Sequence, residues 1–338
     1  MHAFLFVISP VVALLASFLV ISVIRFLDVV EPEPWWVIAI GFVLGLATVV
    51  PTIVVASWIQ LIWSILFGET APLVFLQLVV DAPLIEETIK ALAVVFLLLI
   101  FRREMDSLTD FIVYACVVAV AFEFCENTLY LWFHLNAEDG GGLTAWLMEF
   151  NARTMASAGV HAMFTAWSGF AIWCLVSGRG VLRWLGSVLG FALAIVLHAL
   201  NNLAAYMVSL GDGESMSVVY QFGQSLGVIG NILEMAFFLG LIGSAILGDL
   251  HVLTTFGLAL QQQVLKYSPD RQAIALPRLQ CFLNPFHHLM AHSSFGWSLT
   301  RSRSRVKVGR AEYARFAKAA LSYRAGSDLN SGMALLLP

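Results

Sequence analysis

Nine ionisable side chains and three amides interrupt stretches of sequence that are otherwise apolar. Asp81, Glu86, Glu87, Glu123, Glu126 and Glu234 are the carboxylates, and Lys90, His161, His198, Asn127, Asn201 and Asn202 accompany them. At about 2.5–3.5 kcal/mol for each charged group at the middle of a membrane span, the carboxylates alone would cost about 15–20 kcal/mol facing lipid. They must therefore face one another or water. Glu86 and Lys90 are spaced i,i+4 and Glu87 and Lys90 i,i+3, so on a helix the ammonium offsets part of the acidic pair. Glu123 and Glu126 fall one turn apart on a common face, and Asn201 and Asn202 follow His198 at i+3 and i+4. Carboxylates and imidazoles beside water in a low-dielectric setting suit a general base that activates water, with an imidazole or amide polarising a carbonyl. The same groups could hold a zinc ion through His161, His198 and one or both of Glu126 and Glu87, because three protein ligands with an open position form the catalytic zinc pattern. A proton- or ion-coupled transporter is the competing class, since buried carboxylates and histidines also make relays. Against it, the two halves of the chain show no matching pair of Gly/Pro-broken spans.

The elements that carry these residues follow from composition. Of 338 residues 60% are hydrophobic and 12% charged, about half the charge of a soluble domain, which excludes a soluble enzyme. Seven apolar stretches have spanning length, at about 3–24, 37–66, 72–101, 110–133, 154–176, 184–209 and 217–248. The expected fold is all-α, a polytopic transmembrane helix bundle of about seven spans. Arg25, Arg102, Arg103, Arg179 and Arg183 fall in the odd connections, and Arg153 alone falls on the other side. The positive-inside rule thus puts the N-terminus outside and the C-terminal tail in the cytoplasm of a multi-pass cell-membrane protein. Trp35, Trp36, Trp132, Trp146 and Trp184 lie near span ends, as interfacial anchors would. Gly41 and Gly45 form a G-x-x-x-G that suits close helix packing. With a rise of about 1.5 Å per residue, Glu126 and His161 lie roughly 10 Å below the outer ends of their helices, His198 roughly 16 Å and Glu86 roughly 21 Å. These depths let the groups meet in one pocket that opens outward.

Charge divides the chain into residues 1–249, a seven-span membrane domain with a net charge of −12, and residues 250–338, a basic tail of +8, partly helical or disordered. The tail's run Arg301 to Lys307 suits anionic inner-leaflet lipid. Cys116, Cys125, Cys174 and Cys281 contain no C-x-x-C pair and read as small core residues.

Taken in order, Glu86-Glu87-x-x-Lys90, Phe122-x-x-x-Glu126-Asn127, the lone His161 and His198-x-x-x-Asn202 resemble the PrsW family of intramembrane proteases, related to the CAAX prenyl protease and bacteriocin-processing membrane proteins. The resemblance covers about residues 30–245. It implies hydrolysis of peptide bonds in membrane-anchored substrates such as anti-sigma factors. It also implies catalytic roles for Glu86 or Glu87 as the water-activating base, for Glu126 and His161, and for His198 with Asn202 in assisting the base and stabilising the oxyanion. Zinc is the one cofactor to consider. The expected partners are a single-span membrane protein or peptide substrate and membrane lipids, with no nucleic acid.

Overall fold

The computed structural model describes residues 2–266 except 29, 31, 69, 103, 137–141 and 211–217. Beyond 266 it describes 272, 275–276, 279–280, 282–283, 315–321 and 329–336. Among the described residues every regular element is helical. In chain order these are α1 (His2–Leu27), α2 (Trp35–Phe67), α3 (Ala71–Phe75), a π-helical segment Leu76–Asp81, α4 (Ala82–Ile100), α5 (Leu108–Asn136), α6 (Leu143–Glu149), a second π-helical segment Phe150–Ala156, α7 (Val160–Ser177), α8 (Gly180–Leu210) and α9 (Val218–Val264), followed by a short helix Asn330–Leu336.

Six of the resulting helices are long and apolar enough to cross a membrane, and the chain is a multi-pass membrane protein. The remaining expected stretch, 72–101, is the composite Ala71–Ile100, where Glu86, Glu87 and Lys90 crowd into two turns and the helix is assembled from three pieces. Pro83 explains the joint. It has no N–H to donate, and the widened turn before it bonds the Ala82 N–H to the Gln77 carbonyl five residues back.

The chain forms two compact units. The first comprises Met1–Ile24, Pro34–Arg102 and Phe111–Leu241. The second comprises Arg25–Glu33, Arg103–Asp110 and Ile242–Pro338. Helix α9 runs unbroken through residues 249 and 250, where the charge balance changes sign. In the first unit α5 is the most enclosed span, with Phe111–Val120 almost wholly buried. Gly41 and Gly45 of α2 face it: a methyl group on Gly45 would meet the Val118 backbone and Ala121. Gly45→Val should therefore destabilise the protein by about 1–3 kcal/mol, read as a lower unfolding temperature in detergent.

Helices α7 and α8 pack as an antiparallel hairpin. Gly186 and Gly190 of α8 meet Cys174, Phe170 and Ala171 of α7, so the two backbones approach closely. Large apolar side chains on the outer faces of α1 and α2, among them Phe4, Leu15, Val43 and Ile65, are exposed as lipid contact requires. Trp35, Trp36 and Trp184 are exposed too, as expected of anchors. Trp146 is the correction: it is buried, and its indole N–H donates to Ser9 Oγ at 2.9 Å, which ties α6 to α1. Cys116 and Cys174 are buried free thiols, and Cys125 is a half-buried one.

In the second unit Leu253, Phe256 and Leu260 pack with Phe282, Phe316, Leu321 and Met333, so part of the 250–338 region has an apolar core of its own. Ser107 donates to Asp110 and Lys318 pairs with Glu104 at 3.1 Å. Cys281 and the basic run 301–307 lie outside the described residues.

Candidate active site

The site is built around one ammonium group. Lys90, on α4, is fully buried, and its Nζ lies 3.0 Å from Glu87 Oε1, 3.1 Å from Glu86 Oε2 and 3.0 Å from His161 Nδ1 on α7. Its remaining side is covered by the Phe122 ring of α5, with Nζ 4.3 Å from the centroid. The i+3 and i+4 spacings read from the sequence thus place both carboxylates on Lys90, and a histidine from another helix completes the set.

The two glutamates are not equivalent. Glu87 is 0% exposed and its oxygens are fully engaged: Oε1 by Lys90 and by His198 Nδ1 at 3.1 Å, Oε2 by the Thr165 hydroxyl at 2.8 Å. Glu86 keeps 13% of its side chain exposed. Its Oε2 lies 3.9 Å from His161 Nδ1 and 3.7 Å from His198 Nε2, and among the described residues no partner binds Oε1. Thr165 carries no chemical signal of its own in the sequence, although its i+4 spacing from His161 puts both on one face of α7.

The partners also set the histidine tautomers. His161 Nδ1 faces an ammonium and must accept, which leaves the ring proton on Nε2, 2.9 Å from Glu126 Oε2. His198 Nδ1 faces the Glu87 carboxylate and donates, which leaves a lone pair on Nε2 toward Glu86. The two rings stand nearly perpendicular at 5.0 Å between centroids, and Phe164 stacks on His198 at 4.9 Å. These rings form an aromatic wall beside the two carboxylates.

Toward the ends of α5 and α6 the polar chain continues. Glu126 Oε1 meets Arg153 Nη1 at 3.2 Å, Arg153 Nε meets Glu149 at 2.9 Å, and the guanidinium lies 3.5 Å over the Tyr130 ring. Arg153, the exception to the charge rule, is a counter-ion placed by the second π-helical segment rather than a loop residue that orients the span. Its i+4 spacing from Glu149 is the signal in the sequence. Asn202 donates to the Leu78 carbonyl at 2.9 Å and ties α8 to the first π-helical segment. Asp81 accepts from the Trp63 indole at 2.9 Å.

Converging carboxylates, imidazoles and a buried cation inside a polytopic helix bundle are the equipment of a membrane-embedded hydrolase. The family model of the PrsW family intramembrane metalloproteases matches residues 33–228, more than half of the chain, and the protein belongs to that family. It is an intramembrane endopeptidase. No curated protein and no solved structure matches the chain.

The metal that the family description implies can be tested against the donors. Glu86, His161 and His198 each offer one ligand atom, all within 4.8 Å of one another. The Glu86 separations of 3.9 and 3.7 Å are slightly wider than the roughly 3.3–3.4 Å between ligand atoms around tetrahedral zinc. Donor type and number therefore fit a divalent ion. Lys90 Nζ already touches two of these groups, so a bound ion and the ammonium would compete for Glu86 Oε2 and His161 Nδ1. Glu86 is not among the expected ligands, and Glu87 and Glu126, the two carboxylates that are, lie instead beside the far nitrogens of His198 and His161, behind the converging group.

Proposed function

We propose that the protein cleaves a single-span membrane protein or membrane-anchored peptide by attack of a water molecule that Glu86 deprotonates. The observation that carries this reading is the asymmetry between the glutamates. Among the described residues Glu86 alone combines partial exposure, an oxygen without a partner and two imidazoles within 4 Å. Glu87, fully engaged, orients His198 and offsets the charge of Lys90. The water oxygen bonds to the scissile carbonyl carbon as its proton passes to Glu86. The C–N bond then breaks as Glu86 returns that proton to the leaving amine, so base and acid are one group. His198 Nε2 offers the incoming water a second acceptor, while Phe164 and Phe122 exclude bulk solvent. If zinc is held by Glu86, His161 and His198, it supplies Lewis acidity to the water or the carbonyl oxygen. Glu126 holds the His161 ring from behind, and Asn202 braces the segment that leads into α4. The arginine pattern supports a site that opens outward, with the C-terminal region in the cytoplasm and lipid around the bundle.

Co-expression with single-span reporter proteins tests the reading. Truncated reporters should accumulate with the intact chain and not with a Glu86→Gln/Glu87→Gln variant present at equal membrane level. Equal truncation by both would sink it.

A further inference from the structure

Helix α7, which carries His161, begins without a cap of its own. Its N-cap position is Gly159, which has no side chain to offer, and φ = +83° makes a left-handed turn there that favours glycine. The first N–H groups of a helix have no partner within it, and inside a membrane no water replaces one. Glu123 fills that role from a different helix. Its Oε1 accepts the Gly159 N–H at 2.8 Å and its Oε2 faces the His161 N–H at 3.4 Å, and the side chain is buried. A carboxylate at this end also complements the helix dipole. Glu123 precedes Glu126 by three residues on α5, so a single turn of α5 holds His161 twice. Glu123 takes the backbone and Glu126 Oε2 lies 2.9 Å from ring Nε2.

We propose that Glu123 is a positioning residue that, by capping α7 from α5, sets the His161 ring against Lys90 and Glu86. Its catalytic consequence rests on the function proposed above, whereas the positioning itself does not. Because the His161 backbone and ring are anchored to the same turn, loss of the cap lets the first turn of α7 unwind and carries the ring off Lys90 Nζ. Glutamine at this position keeps one acceptor for the Gly159 N–H but turns an amide donor toward the His161 N–H. Glu123→Gln is therefore a half-cap and Glu123→Ala none.

The first readout needs no substrate. In detergent-purified protein labelled with ring-15N histidine, the His161 resonances, identified by their absence in His161→Gln, should shift in Glu123→Ala and shift less in Glu123→Gln. If Glu123→Ala does not fold, the glutamine variant carries the test alone. The second readout is cleavage of a reconstituted single-span reporter. Here kcat should fall about 10–100-fold in Glu123→Ala and by less in Glu123→Gln, with KM unchanged within about two-fold. His161 resonances that stay in place in both variants overturn the proposal, as does a loss that appears in KM rather than kcat. Shifted resonances in a chain whose wild-type form cleaves no reporter support the positioning role and overturn the protease mechanism instead.

Discussion

Glu86→Gln should reduce kcat by about 10²–10⁴-fold, the range for removal of a general base, with little change in unfolding temperature. Glutamine matches glutamate in shape, and Glu86 is the less enclosed member of the pair, so the bundle loses only its contact with Lys90. Glu87→Gln should behave differently. Removing its charge unbalances a fully buried cluster in which Lys90, His198 and Thr165 all converge on one carboxylate, so both stability and activity should fall. Unfolding temperature measured beside kcat separates the two roles. Turnover by Glu86→Gln within ten-fold of the unaltered protein, at normal stability, would falsify the assignment of the base.

The second large effect concerns the cation. Lys90→Met deletes the only ammonium among the described side chains of the site and leaves Glu86 and Glu87 side by side against two imidazoles. Breaking a buried pair by removing one partner costs about 3–5 kcal/mol, because the remaining charge stays buried without compensation. A Lys90→Met/Glu87→Gln double variant should recover part of that loss, and the coupling of the pair is the difference between the double variant and the sum of the single ones. The measurement is chemical or thermal unfolding of the four proteins in one detergent. Equal stability of Lys90→Met and the parent would mean that the ammonium is not what holds the two carboxylates together.

Much of this site is legible from spacing. The i+3 and i+4 relations of Glu86, Glu87 and Lys90, and the single histidines in two later spans, are properties of the chain alone, and they meet as expected. The choice between Glu86 and Glu87 is not legible, because adjacent residues differ by 100° around a helix and only the packing of α7 and α8 decides which one is sealed. Arg153 misleads for a related reason. Its position at a span edge invites a topological role, and the pairing with Glu126 depends on contact between separate helices. The seven stretches become five spans of unbroken α-helix and two composites, Ala71–Ile100 and Leu143–Ser177, because a π-helical segment is local backbone chemistry that hydropathy does not register. The apolar cluster around Phe256, Phe282 and Phe316 is hidden for the opposite reason. Its residues are scattered through a basic, compositionally mixed region and become a core only when they are brought together.

Two of the three helices that present the reacting groups follow a wide π turn: Leu76–Asp81 leads directly into the helix of Glu86, and Phe150–Ala156 precedes the turn at Gly159 that opens the helix of His161. Each such turn stores one residue more than the α pitch, and because Leu76–Asp81 runs without interruption into α4, every residue gained or lost there rotates α4 by about 100°. The direction in which Glu86 points is thus encoded by the chain length of a short spacer that contains none of the reacting residues. A single-residue deletion in Leu76–Asp81 would spare every motif and still turn Glu86 away, so the spacing ahead of a motif carries as much functional information as the motif itself.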